Sequence, residues 1–223
     1  EVNNMSKIVI FGCKQIAEIA YFYLANYREC EVIAFTIDSL YKDKDEFMGL
    51  PLVEFETIER HYPSDEYKLF LPISYTNLNQ IREKKYQEAK QKGYELISYI
   101  SPKATYYNTP IGDNCFVFEN NTIQPFTKIG NNVILWSGNH IGHHSTIEDN
   151  CFIASHAVIS GSVKIGKNSF IGVNATIRDG VTIGKECVIG AGALVLKDVP
   201  DFSVISSRST EISRVPSYKI KKI

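Results

Sequence analysis

The sequence predicts a small α/β, Rossmann-like N-terminal domain (residues 5–100) followed by a left-handed parallel β-helix (101–200) and a C-terminal tail (201–223). Two observations predict this. From Ile111 to Val195 an aliphatic residue recurs every sixth position without a break, a period that belongs neither to a helix nor to a heptad coil. Before residue 100, short apolar runs instead alternate with helix-like segments, as they do in a parallel sheet covered by helices.

The composition fits a globular chain. It is 44% hydrophobic and 12% aromatic, with a formal net charge of −1, so a disordered main state and a globally basic nucleic-acid binder are both excluded. No apolar run is long enough to span a bilayer. The five cysteines, Cys13, Cys30, Cys115, Cys151 and Cys187, show no short paired spacing, which suits a reducing, cytoplasmic setting.

In the first half, Lys7–Phe11 reads as a strand that turns at Gly12 into a helix through Ile16, Ala20 and Leu24. Glu31–Asp38 and Lys68–Pro72 read as further strands, Asn77–Lys92 as a polar helix and Leu96–Ile100 as a last strand. A strand, a glycine turn, a helix and an acid after the second strand form the nucleotide-binding arrangement. The stretch from Gly12 to Ala17 lacks its second and third glycines. A nucleotide site, with Lys14 supplying charge, and a plain structural domain both remain open readings.

In the second half each hexad is one side of a triangular coil, so three hexads make a turn. Rows of eighteen then begin at Ile111, Ile129, Ile147, Ile165 and Ile183, and their fourth positions are Asn114, Asn132, Asn150, Asn168 and Glu186. Asparagine tolerates the left-handed backbone of a sharp corner. Cys115, Cys151 and Cys187 fall two coils apart in an inward column. At ~4.8 Å per coil they are too distant to pair, and they read as core residues. The second side carries Phe116, Phe118, Trp136, Phe152 and Phe170 outward. Such a stripe marks an interface, read here as the contact of a homotrimer rather than as a seat for the N-terminal domain.

Four of the five histidines, His140, His143, His144 and His156, lie close together in the repeat. His143 stands in a corner column that reads Pro125, His143, Gly161, Asp179, Lys197. The missing side chain at Gly161 leaves room for a substrate beside the imidazole, and a backbone N–H there can face a developing oxyanion. Free imidazole titrates near pH ~6.5, so it can take the proton an attacking amine must lose. A histidine zinc centre shared between subunits needs a second histidine two coils on, but those positions hold Thr176 and Asp179, so no metal is expected.

These features resemble the two-domain bacterial sugar N-acyltransferases typified by PglD, over roughly Lys7 to Pro200. The resemblance rests on His143-His144-Ser145-Thr146-Ile147-Glu148-Asp149 through Gly161, and on Ile165-Gly166 through Gly190-Ala191-Gly192 to Pro200. It implies transfer of acetyl from acetyl-CoA to the amine of a nucleotide-linked amino sugar in lipopolysaccharide or O-antigen biosynthesis, with His143 as general base. The family's acidic residue after the base is His144 here, and its second histidine, nine residues on, is Phe152. By matching position, acetyl-CoA would meet Gly161, Val173 and Ala191. The nucleotide sugar would meet Gly12, Lys14, Gln15, Ile37 and Asp38. Two other readings stand beside this one: O-acetyl transfer to a sugar hydroxyl of the sialic-acid type, and a non-enzymatic trimeric scaffold. The basic residues Arg208, Arg214, Lys219, Lys221 and Lys222 read as a solvated tail or as a contact for CoA phosphates.

Overall fold

The computed structural model describes residues 5–26, 30–209, 211–212 and 214–219; Lys221 and Lys222 lie outside the described residues. The N-terminal elements are β1 (Ser6–Phe11), α1 (Gln15–Ala25), β2 (Cys30–Ile37), β3 (Glu46–Phe47), β4 (Leu50–Glu54), β5 (Tyr67–Phe70) and α2 (Gln80–Gln91). The sheet order is β3-β4-β2-β1-β5, parallel except for the β3–β4 hairpin. Sequence reading assigned nothing to that hairpin. Its loop, Met48-Gly49, has φ of 53° and 76°, the paired left-handed residues a two-residue hairpin turn needs. β1 is an interior strand between β2 and β5, and Ile8, Val9 and Ile10 are fully buried, which is why this run is apolar throughout rather than alternating.

From Tyr99 onward the chain winds as a left-handed parallel β-helix. Two-residue strands stack into three sheets, and the aliphatic hexad residues fill the interior from Val117 to Val195. The expected last strand of the N-terminal sheet divides between the two parts. Leu96 bridges Leu69, whereas Tyr99–Ile100 pairs with Phe116–Val117 and is already part of the coil. At one corner Asn114, Asn132, Asn150, Asn168 and Glu186 all have positive φ, between 50° and 62°. The asparagines also form a ladder. Asn114 donates to Asn132 at 2.7 Å, Asn132 to Asn150 at 2.8 Å and Asn150 to Asn168 at 3.3 Å. Each coil thus satisfies the side chain of the next in a place closed to water. The three coil cysteines are fully buried, and burial pushes the Cys115 and Cys151 thiols up to about 12, which makes them inert packing groups.

The aromatic stripe is a correction. Phe116, Phe118, Ile134 and Phe152 on the second face are at most 2% exposed in a single chain, because the N-terminal domain covers them. The Tyr23 ring on α1 lies 5.4 Å from Phe118, Phe70 lies 5.1 Å from Phe116, and Tyr75 is 4.9 Å from both Phe152 and Phe170. Hydrophobic burial of about 1.5–3 kcal/mol per large side chain holds the two parts together. Polar contacts then fix how they sit. Glu119 accepts from Tyr23 Oη at 2.8 Å and from Ser137 Oγ at 2.7 Å. Arg82 of α2, fully buried, reaches the asparagine corner. Its guanidinium donates to the carbonyls of Asn132 (3.2 Å), Asn150 (2.7 Å) and Cys151 (3.1 Å), and back to Ile73 (3.2 Å). Burial lowers its pKa to about 10, so the side chain remains a cation at neutral pH, held by carbonyl dipoles and by the Phe152 ring 6.0 Å away.

With the second face covered, two remain open. The first face carries Lys128, Thr146, Lys164 and Thr182, with Lys164 paired to Glu148 at 3.0 Å. The third carries His140, Val158, Thr176 and Leu194; Val158 and Leu194 are 41% and 62% exposed. Among the described residues no helix is long and apolar enough to cross a membrane.

Candidate functional site

The corner between the third and first faces brings His143, His144 and Gly161 together. Each coil turns there through a residue pair whose second member is left-handed: Phe126, His144 and Ser162 have φ of 65°, 58° and 57°. The His143 amide donates to Gln124 Oε1 at 2.9 Å, and the His143 carbonyl accepts from the Ser162 amide at 2.8 Å. The backbone of this histidine is therefore clamped to the coils on both sides. Its ring lies over Gly161. A Cβ at Gly161 would stand 2.7 Å from His143 Cε1, 2.8 Å from Nε2 and 2.9 Å from Asp179 Oδ1. Only glycine leaves the space that the imidazole and the Asp179 carboxylate share.

The other ring nitrogen of His143 is engaged. Its Nδ1 lies 3.1 Å from Nδ1 of His144, and His144 in turn packs on the exposed ring of Phe126 at 4.7 Å. One proton must lie between those two nitrogens. When it belongs to His143, Nε2 carries a lone pair directed at the Gly161 space. The Ser160 and Ser162 amides donate to Ile177 and His143. Among the described residues the Gly161 amide between them has no acceptor and is available beside the ring.

The remaining candidates lie elsewhere. Val173 and Ala191 sit one coil apart at the corner between the second and third faces, where the Gly192 amide donates to the Val173 carbonyl at 2.8 Å. A single chain does not bring them to Gly161. His156 occupies that same distant corner, its ring over Gly138, and His140 lies on the third face, so the histidines do not form one cluster. In the N-terminal domain Gly12, Lys14 and Ile37 line a cavity of about 390 Å³ with Tyr41, Asp43 and Ser74. Lys14 is the N-cap of α1, where free amides favour an anion. Gln15 and Asp38 are not in its lining. Asp38 instead faces α2 and pairs with Lys85 at 2.6 Å.

Sequence reading missed Gln124, Tyr41 and Asp43. Gln124 was within reach, because it immediately precedes the Pro125 that heads the His143 column. Tyr41 and Asp43 lie in an irregular segment with no periodicity to place them.

Comparison with known proteins bears on the repeat and the fold. Residues 126–161 match the bacterial transferase hexapeptide (six repeats), and residues 162–197 match the hexapeptide repeat of succinyl-transferase. No curated protein sequence matches the chain. Among solved structures it is similar to a histidine-to-asparagine mutant of perosamine N-acetyltransferase from Caulobacter crescentus, in complex with CoA and GDP-perosamine. The TM-score is 0.78 at 25% identity, covering 89% of this chain and 92% of that one. The fold is also that of the acetyltransferase domain of PglB from Neisseria gonorrhoeae (TM-score 0.80, 23% identity, 89% and 95% covered). WeeI from Acinetobacter baumannii shares it as well (TM-score 0.79, 19% identity, 91% and 97% covered).

Proposed function

We infer that this chain, which carries the hexapeptide repeat of bacterial transferases and is folded throughout as the two-domain sugar N-acetyltransferases are, is an acetyl-CoA-dependent acyltransferase acting on the amine of a nucleotide-linked amino sugar. The observation that carries this is the His143 ring, with one nitrogen bonded to His144 and the other open over Gly161. It stands in a chain similar over 89% of its length to an N-acetyltransferase that binds CoA and GDP-perosamine.

The chemistry follows from that geometry. The amine nitrogen attacks the thioester carbonyl carbon while His143 Nε2 takes the amine proton. The oxyanion formed meets the Gly161 N–H. Its collapse breaks the C–S bond and releases CoA thiolate, which recovers the proton from the imidazolium. No acyl-enzyme forms on the buried coil cysteines. His144 is a positioning residue: by accepting from His143 Nδ1–H it keeps the lone pair on Nε2, the role an acidic neighbour fills in the resembling family.

One chain does not hold a whole site. His143 stands at the vertex opposite the face that the N-terminal domain covers, so it turns away from the Gly12–Lys14 cavity and from Val173 and Ala191. A homotrimer packed through the third face, where Val158 and Leu194 are exposed, sets the His143 corner of one copy against the Val173 corner and N-terminal domain of the next. Acetyl-CoA then lies in the seam between Gly161 and its neighbour's Val173 and Ala191. The need for acetyl-CoA supports a cytoplasmic setting for the reaction.

Mixing tests the arrangement. His143→Ala and Lys14→Glu are each expected to lose most turnover of acetyl-CoA with an amino-sugar nucleotide, and their co-expressed mixture to regain about a quarter of wild-type activity, since random assembly leaves that share of seams intact. An unrestored mixture would show a site contained in one chain. An acceptor with hydroxyl in place of amine is expected to be inert; its turnover would favour O-acetyl transfer.

A further inference from the structure

The segment after β2 is crowded with carboxylates, and four of them are engaged. Asp38 is paired with Lys85 and Asp45 with Lys42. Glu56 accepts from the Ser39 amide and hydroxyl, and Glu59 pairs with Lys92 at 2.7 Å. Asp43 has no partner among the described residues, and it is the acid that lines the cavity at the Gly12–Lys14 turn. Two residues before it, the Tyr41 ring, 64% exposed, lines the same cavity. Lys14 at the start of α1 lines it as well, also without an ion pair among the described residues.

We propose that this cavity selects guanine nucleotides: Tyr41 stacks on the base and Asp43 accepts from its edge, while Lys14 and the first amides of α1 hold the diphosphate. The inference rests on the reading of this domain as the nucleotide-sugar site. Its added content is base identity, which follows from what a carboxylate can accept. Ionised, it has acceptors only, two oxygens side by side. Guanine offers N1–H and N2–H adjacent and parallel, the bidentate match for that pair. Uracil and thymine offer one N–H flanked by two carbonyls, whose lone pairs a carboxylate repels. Cytosine and adenine each set an acceptor beside their amino group. A carboxylate committed to ribose hydroxyls would show no such preference. The acid placed for ribose at the end of β2 is Asp38, which Lys85 occupies. The cavity of about 390 Å³ falls in the size range of small-ligand sites, and a flat exposed tyrosine in its lining suits a base more than a sugar.

Titration of GDP, UDP and dTDP into the intact protein by calorimetry tests this. GDP is expected to bind about 10- to 100-fold tighter than either pyrimidine nucleotide. Asp43→Asn is expected to remove that difference by weakening GDP while leaving UDP and dTDP unchanged or tighter, and Tyr41→Ala to weaken all three. Asp43 is exposed, so an unchanged melting temperature serves as the control for folding. Equal binding of the three diphosphates to the wild type, or an Asp43→Asn variant that loses all three alike, would overturn the guanine assignment and leave the nucleotide reading standing. Failure of every diphosphate to bind would overturn both.

Discussion

Replacing His143 with alanine is expected to lower kcat for acetyl transfer by about 10²- to 10⁴-fold, the range a positioned general base supplies, while acetyl-CoA still binds. The informative part is the comparison with His144. Its φ of 58° is a conformation that asparagine accepts and β-branched residues do not. His144→Asn keeps both that backbone and an acceptor for His143 Nδ1–H, through Oδ1. It is therefore expected to remain within about tenfold of wild type, while His144→Val, which keeps neither, falls towards His143→Ala. Steady-state kinetics at saturating acetyl-CoA separate the outcomes. If His144→Val matched wild type, the hydrogen bond at 3.1 Å would have no part in orienting the base.

Arg82→Met is expected to cost about 3–5 kcal/mol, the penalty of breaking a buried charged network, and to lower the melting temperature by on the order of 10 °C. Methionine fills the space but donates nothing, so the carbonyls of Asn132 and Asn150, bonded to Arg82 at 3.2 and 2.7 Å, are left buried without that partner, a loss of about 1–3 kcal/mol each. Arg82→Lys is no rescue, because an ammonium cannot span Ile73 on one side and two coils on the other as the planar fork does. Urea denaturation followed by tryptophan fluorescence reads the result, since Trp136 lies beneath the docked domain. A loss below about 1 kcal/mol would mean that aromatic packing on the second face suffices to dock the domain. Because Ile73 and Ser74 also line the Gly12–Lys14 cavity, the same variant is expected to bind nucleoside diphosphates more weakly.

Some positions are legible in the amino-acid sequence and others are not, for reasons that differ residue by residue. The corner column that sets His143 beside Gly161 follows from counting by eighteen, because every coil repeats the same three sides and nothing non-local intervenes. The inward cysteines and the asparagine ladder follow from the same count. Asp38 shows the limit of such counting: the position after β2 is legible, but which way its carboxylate turns depends on Lys85, far along the chain on α2.

The hexad spacing of aliphatic residues, with asparagine at every third corner, was enough to establish the coil and the turn that carries the histidines, but not the ends of the coil, since Tyr99–Ile100 and Val204–Ile205 also pair into it. A repeat is local order, and each coil needs only its neighbours to specify it. It could not tell what lies on the apolar second face, since a stripe of phenylalanines records that water is excluded and not by which surface. The packing of Tyr23, Phe70, Tyr75 and Arg82 settled that the chain covers the stripe itself. This docking leaves His143 on the far vertex, away from its own chain's Gly12–Lys14 cavity, and three-dimensional packing between distant segments is what decided it.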